Sequence, residues 1–280
     1  MKRILVTGST GFIGHHVVEA LSKQGDLIAC AVRNRTNLPF SADVDLIDFD
    51  LTHENAASII VESYGIPNCL VHLAWGGLPN YKSLSHFEIE IPRHYSFLKA
   101  MVQAGTPQLV VAGTCLEYGL ISGSISENCP ANPITSYGLA KDHLRRALAL
   151  LQKEKPFNLT WARLFYTFGP GQSQKSLLSL IDAAAQRGDK VFPMSGGEQL
   201  RDYLAVEAIA DAIAKLVSKA GDPGCVNICS GAPISVRRLA ERHIIERGYD
   251  IKLELGALPY NDYEPMAFWG DRSKLNLLLS

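Results

Sequence analysis

No apolar run in this 280-residue chain approaches the roughly 18 residues that a membrane span needs. After Met1-Lys2-Arg3 only Ile4-Leu5-Val6 are apolar before Thr7-Gly8, too short a stretch for the apolar region of a secretory leader. The protein is therefore expected in the cytoplasm, with no membrane partner. Excess charge is missing too: 27 Lys and Arg stand against 28 Asp and Glu, for a formal net charge of −1. That leaves neither a basic face for nucleic acid nor an acidic tail. Six cysteines are scattered singly, and the one close pair, Cys225 and Cys229 in "CVNIC", falls in an apolar segment, as free buried thiols do. No G-x-S-x-G elbow, H-E-x-x-H pair or other metal-ligand spacing occurs, so hydrolase and metalloenzyme readings lack local support. A small molecule or a second copy of the chain is the expected partner.

Alternation dominates the rest. Apolar segments rich in β-branched residues at 4–6, 27–32, 45–47, 69–73, 108–112, 159–164 and 226–228 read as strands. Amphipathic segments at 13–24, 56–64, 87–104, 137–153, 176–187, 206–220 and 236–247 read as helices. This is the pattern of βαβ units, and the expected class is α/β: a Rossmann-type doubly wound parallel sheet with a smaller C-terminal substrate-binding lobe. After about residue 165 the chain becomes loop-rich, in "YTFGPGQ", "PMSGGEQ" and "GALPYNDYEP". The division expected is a dinucleotide-binding unit at 1–165, to which 200–229 returns, and a lobe from 166–199 and 230–280. Open parallel sheets bind ligands outside the carboxyl ends of their strands, so functional groups are sought just after strands.

"RILVTGSTGFIGHHVVEAL" is a strand, a turn carrying Gly8, Gly11 and Gly14, and a helix. The first glycine permits a tight turn, the second lets a pyrophosphate approach the backbone, and the third packs helix on strand, with phosphates at the helix N-terminus. Thr10, Phe12 and Ile13 belong to the same candidate dinucleotide site. At the end of the second strand an acidic residue would bind ribose hydroxyls, but "CAVRNRT" carries Arg33 and Arg35, and two guanidiniums suit a 2′-phosphate. NADP(H) is favoured, and NAD(H) stays open if both arginines are solvated loop charges. "DFDL" puts Asp50 and Leu51 at the adenine, and "VHLAWGG" ends the fourth strand with Leu73, Ala74 and Trp75 beside the cofactor. His72 there reads as a hydrogen-bonded core histidine.

In "NPITSYGLAKDHLRRAL", Tyr137 and Lys141 stand four apart on a helix and share a face. A lysine ammonium about 4 Å from a phenol, at an effective dielectric near 20, supplies about 4 kcal/mol. Each tenfold in acidity takes about 1.4 kcal/mol. Tyr137 is thus expected to have a lowered pKa and to act as acid or base near neutrality. With the glycine loop, "VHLAWGG" and Thr114 at the fifth strand, the chain resembles the extended short-chain dehydrogenase/reductase family, the NAD(P)-dependent sugar-nucleotide epimerases, dehydratases and reductases. The resemblance continues through "RLFYTFGPGQ", "LRDYLAVEAIADAI", "VNICSGAPISV" and "WGDRSKL", and Thr114 falls four residues before the tyrosine of Tyr118-Gly119, as the family's Ser/Thr does. It implies that Thr114 hydrogen-bonds the reacting sugar oxygen, Tyr137 exchanges the proton, and Lys141 lowers the Tyr137 pKa and holds the nicotinamide ribose. It further implies that Leu164 borders the cofactor, that Tyr166 and Arg201 contact a sugar nucleotide, Arg201 near its diphosphate, and that the helices at 87–104 and 137–153 pair in a homodimer.

Family members that dehydrate a hexose carry Asp and Glu directly after the Ser/Thr, since expelling water needs an acid and removing a carbon-bound proton needs a base. Here Cys115 and Leu116 stand there. Glu117 is near, but in an extended segment neighbours point to opposite faces, so it is not expected to substitute. Two reactions need only hydride, Tyr137 and Thr114. One is NADPH-dependent reduction of a 4-keto-6-deoxy sugar nucleotide to a 6-deoxyhexose nucleotide for glycoconjugate synthesis; the other is NAD-dependent 4-epimerisation. Arg33 and Arg35 favour the reductase, and the intact Thr114, Tyr137 and Lys141 argue against a non-catalytic NADPH sensor or scaffold. The chain departs from the family at Tyr166, where Asn is usual, at Glu90-Ile91, where Asn-Val is common, and at Asn261, where an arginine often grips the diphosphate.

Overall fold

Short runs of aliphatic and β-branched residues become strands buried on both faces, because helices cover both sides of the sheet they form. The computed structural model describes residues 1–36, 38–40, 43–53, 55–219 and 221–280. Its chain runs β1 (Arg3–Thr7), α1 (Phe12–Ser22), β2 (Leu27–Val32), β3 (Asp45–Asp48), α2 (Ala56–Ser63), β4 (Cys69–His72), a π-helical turn (His86–Glu90), α3 (Ile91–Ala104) and β5 (Gln108–Thr114). A 3-10 turn (Cys115–Tyr118), β6 (Gly123–Ile125), α4 (Ser136–Glu154), β7 (Asn158–Leu164), β8 (Tyr166–Phe168) and α5 (Leu177–Gln186) follow. The remainder is β9 (Val191–Met194), β10 (Leu200–Ala205), α6 (Val206–Ser218), β11 (Gly224–Ile228), β12 (Pro233–Ser235), α7 (Val236–Arg247), β13 (Lys252–Leu255), β14 (Phe268–Gly270) and α8 (Ser273–Leu279).

Seven strands form one parallel sheet in the order β11-β7-β5-β4-β1-β2-β3, a Rossmann-type doubly wound α/β arrangement. They are the seven runs read from the sequence, matched to within two residues at each end. One face is covered by α1 and α6, whose Val17, Leu21, Ile213 and Val217 are fully buried. The other is covered by α2, α3 and α4 through Ile60, Phe97, Leu98, Leu144 and Leu148. The helix expected from 87 begins instead with the π-helical turn, because Pro92 at the start of α3 has no N–H to continue an α-helical ladder. The helix expected to reach Ala220 ends at Ser218, and Ala220 itself lies outside the described residues.

The region after residue 165, loop-rich in sequence, holds short strands as well. There β8, β10 and β12 make a three-stranded sheet, β9 pairs with β13, and β14 reaches back to β6. Within 200–229, α6 and β11 join the layers of the large sheet, whereas β10 pairs with β8 and β12. All six cysteines are free thiols, four of them buried. Among the described residues no helix is long and apolar enough to cross a membrane.

Candidate active site

The strand order turns between β1 and β4, whose carboxyl ends lie side by side and open a crevice between the loops that follow them. Gly8, at φ +72°, begins the first loop, and a Cβ there would stand 2.6 Å from the Ala74 backbone nitrogen, so only glycine lets the two loops meet. Gly14 sits on the Gly8 carbonyl, where any side chain would collide, and so fixes α1 against the loop. No side chain caps α1 and no acidic residue occupies its first turn, which leaves its backbone N–H groups for an anion.

Here lies a cavity of about 310 Å³ lined by Gly8, Thr10, Gly11, Arg33, Asp50, Leu51, Leu73, Ala74 and Trp75, together with residues of α3. A glycine cradle at one end and a guanidinium at the other fit a dinucleotide. Phe12, Ile13 and Gly14 stand within α1, and Leu164 closes β7; none of them lines this cavity. Arg35 departs from expectation. Its guanidinium donates to both oxygens of Asp48, at 2.8 and 3.0 Å, and to the Leu46 carbonyl at 3.1 Å. The acid at the end of β3 therefore draws it aside, and of the two arginines only Arg33 lines the cavity.

Glu90, noted in the sequence only as a departure from the family pattern, and Arg93 and His94, which the sequence did not point to, line the same cavity. Their i, i+3, i+4 spacing, which puts them on one helical face, was the available signal. They end a buried chain in which Thr7 Oγ1 lies 2.7 Å from His72 Nδ1, His72 Nε2 lies 2.7 Å from His94 Nδ1, and His94 Nε2 lies 3.0 Å from Glu90 Oε2. The Gly76 N–H and Arg93 also donate to the Glu90 carboxylate, at 3.2 and 3.3 Å. Burial holds His72 well below the usual imidazole range and brings His94 to about 4, although the Glu90 hydrogen bond pulls His94 the other way. His72 is thus hydrogen-bonded in the core, as read from the sequence.

At Thr114 the chain leaves β5 and closes at once into one 3-10 turn instead of running on extended. Thr114 Oγ1 accepts from the Leu116 N–H at 3.3 Å, and Glu117 Oε1 accepts from the Thr114 N–H at 2.8 Å, which completes a capping box. Glu117 is fully buried and also accepts from Trp161 Nε1 at 2.9 Å and Arg163 Nε at 2.7 Å, both on β7. Its carboxylate is therefore taken up by an ion pair and a cap, a different cause from the strand alternation expected. Gly113 leaves room for this arrangement, since a Cβ there would strike Trp161 Nε1.

Thr135 caps α4 by accepting from the Gly138 N–H at 3.1 Å, and a Cβ on Gly138 would lie 2.6 Å from the Leu116 carbonyl. This close contact brings Tyr137 to the turn, where the Thr114 side chain acts on its phenol. Tyr81, His86 and Trp75 wall the phenol ring at centroid distances of 5.6, 5.3 and 6.0 Å. Lys141, 2% exposed, donates to the Ala112 carbonyl at 2.8 Å and lies 3.9 Å over the Trp75 ring. Burial lowers its pKa to about 7, against the pull of Glu117 and Glu90. Tyr137 moves opposite to expectation: burial raises its pKa above the usual phenol range, with Tyr81, Glu117 and Cys115 adding and Thr114 opposing. The Lys141 ammonium stands 5.9 Å from the ring centre, engaged with Ala112 and Trp75, too far and too weakly charged to reverse that.

Tyr166 on β8 and Arg201 on β10 meet across the three-stranded sheet, the guanidinium 5.8 Å from the ring centre. The residue joining them went unforeseen: Glu264 accepts from the Tyr166 hydroxyl and, at 3.1 Å, from Arg201 Nη2. Residues 4–229 match the NAD dependent epimerase/dehydratase family. The chain belongs to that family.

Among the epimerase/dehydratase proteins it resembles is a dTDP-6-deoxy-L-talose 4-dehydrogenase (NAD(+)) from Aggregatibacter actinomycetemcomitans, 33% identical over 273 residues, or 95% of this chain and 98% of the relative. A UDP-glucose 4-epimerase from Lactobacillus helveticus is 25% identical over 301 residues, covering 99% of this chain and 91% of its own length. The solved structure of MoeE5 in complex with UDP-glucuronic acid and NAD is similar with a TM-score of 0.82 and 25% identity, over 99% of this chain and 92% of that one. The protein is accordingly an enzyme of the NAD(P)-dependent sugar-nucleotide epimerase/dehydrogenase family.

Proposed function

We propose that the enzyme reduces a 4-keto-6-deoxy sugar nucleotide to the 6-deoxyhexose nucleotide, and in reverse oxidises carbon 4. The observation that carries this reading is the turn after β5. It offers the Thr114 hydroxyl beside Tyr137, while its one carboxylate, Glu117, is committed to Arg163, Trp161 and the Thr114 N–H. No group on the turn is free to expel water, so hydride transfer without elimination fits best. The 33% relative, named for a 4-dehydrogenase, supports the same carbon.

A bound nicotinamide supplies the hydride. Tyr137, whose buried phenol keeps its proton, gives it to the carbonyl oxygen as that oxygen becomes an alkoxide, and the Thr114 hydroxyl donates to the same oxygen. Lys141, held by the Ala112 carbonyl and the Trp75 ring, is placed where it would hold the nicotinamide ribose. The aromatic wall of Trp75, Tyr81 and His86 keeps water from the phenol. Arg33 favours NADPH over NADH, since it faces the cavity where a 2′-phosphate would lie. Pairing of α3 and α4 across a homodimer is part of the same proposal.

The same three residues also suffice for 4-epimerisation, the activity in the name of the Lactobacillus helveticus relative. Stoichiometry separates the two, because a reductase consumes one reduced nicotinamide per product and an epimerase consumes none. A panel of dTDP-, GDP-, UDP- and CDP-linked 4-keto sugars with NADPH and NADH, followed at the nicotinamide absorbance, is the direct test. Tyr137→Phe is expected to lower kcat at least about 100-fold on any sugar accepted. Undiminished turnover by that variant defeats the reading.

A further inference from the structure

Between β13 and β14 a strap of residues 257–267 crosses from the lobe toward the loop after β4. Leu258 N–H donates to the Met194 carbonyl at 3.2 Å, Asp262 pairs with Lys82 at 2.9 Å, and the Tyr263 ring packs 6.0 Å from Tyr81, itself a wall of the Tyr137 site. The strap then turns Glu264 inward. Its carboxylate accepts from Arg201 with one oxygen and from the Tyr166 hydroxyl with the other, and the side chains of the Arg201–Glu264 pair are 5% and 11% exposed. The remaining donors of Arg201 are only partly used: Nη1 donates to the Leu200 carbonyl at 2.8 Å and, longer, to the Met266 carbonyl at 3.4 Å.

A guanidinium this buried needs an anion at all times, because removing the partner of a buried charge is strongly destabilising. Glu264 meets that need end-on, through a single N–H, whereas the guanidinium fork is built to take two oxygens at once. Met266 and Ala267 anchor the far end of the strap, their carbonyls accepting from the Leu200 and Gly123 N–H groups at 2.8 and 2.9 Å, and the stretch that delivers Glu264 is otherwise lightly held. Lys82–Asp262 is an exposed pair of little energetic worth, and Leu258, Tyr260 and Met266 are exposed.

We propose that Glu264 is an internal occupant of the Arg201 anion subsite, which a substrate diphosphate exchanges for, lifting the strap. Glu264 thereby sets a threshold for entry: a ligand that offers Arg201 two phosphate oxygens displaces it, and a nucleoside without phosphates does not. The inference rests on the reading that a sugar nucleotide binds in this cleft.

The test is calorimetric titration of the full-length protein with dTDP, UDP and inorganic pyrophosphate, and with thymidine as control. Glu264→Gln, which keeps the size and removes the charge, is expected to bind dTDP, UDP or both about tenfold more tightly than the parent while thymidine is unaffected. Its melting temperature should lie below the parent's without ligand and rise more on adding dTDP or UDP, since the ligand then supplies the missing anion. Tyr166→Phe frees one arm of Glu264 and is expected to tighten binding in the same direction by less, which keeps the proposal testable if Glu264→Gln does not fold. Unchanged or weaker diphosphate binding in these variants overturns the proposal. Failure of the parent reading looks different: no 4-keto sugar nucleotide is turned over, whatever the binding data show.

Discussion

Separating Glu117 from Arg163 would leave a guanidinium inside the protein with only Asp142, at 3.9 Å and shared with Arg145 and Arg146, as its anion, on a strand that forms part of the sheet. Glu117→Gln is therefore expected to lower the unfolding free energy by about 3–5 kcal/mol, read from urea denaturation. It should also loosen Thr114, whose N–H the same carboxylate holds. An unchanged denaturation midpoint would refute this account of the turn. Thr114, Tyr137 and Lys141 were legible from the sequence because their spacings are local or anchored to a strand end. Glu264 was not, since its partners Arg201 and Tyr166 lie 63 and 98 residues away. The protonation of Tyr137 was misjudged for a related reason: the residues that bury it, Trp75 and Tyr81, come from the loop after β4, and the four-residue spacing to Lys141 says nothing of that loop.

The link between β4 and α3 is made by two neutral imidazoles, and it gives these elements a dependence on pH. His94 on α3 faces His72 from β4, Glu90 from the π-helical turn, Arg93 from its own helix, and the charge of Lys141 from α4. Its folded pKa, about 4, lies below the unfolded value near 6.5, so the unfolded chain binds more protons between those limits. Stability from His94 is complete above about pH 6.5 and is lost as pH falls toward 4, by about 3 kcal/mol in all. His94→Asn should flatten the fall in melting temperature over that window; an equally steep fall would show that the acid sensitivity arises elsewhere. The strands and helices of the large sheet could be read from the chain because their periodicity is local and long. The three-residue strands β8, β12 and β14 could not, since what makes each a strand is a partner distant in sequence, as when β14 joins β6.

For the whole molecule, the parallel order and the crevice at β1 and β4 follow from the alternation of strands and helices. The state of association does not. Leu139 and Leu150 on α4 and Ile89 before α3 are exposed at 45%, 62% and 46%, which suits the proposed pairing of α3 and α4 between two copies. Sedimentation is expected to give a dimer, and Leu139→Glu with Leu150→Glu a monomer; a monomeric parent protein would remove that part of the proposal. The 3-10 turn after β5 has a consequence for how such an enzyme can change over evolution. The bonds that hold it run through the backbone, the Thr114 hydroxyl, Glu117 and the Tyr118 hydroxyl, which donates to Asn227, and the Leu116 side chain takes part in none of them. Residue 116 is thus an exchangeable head on a fixed mount. A lineage can replace that head and explore another chemistry while the scaffold beneath it goes on folding as before.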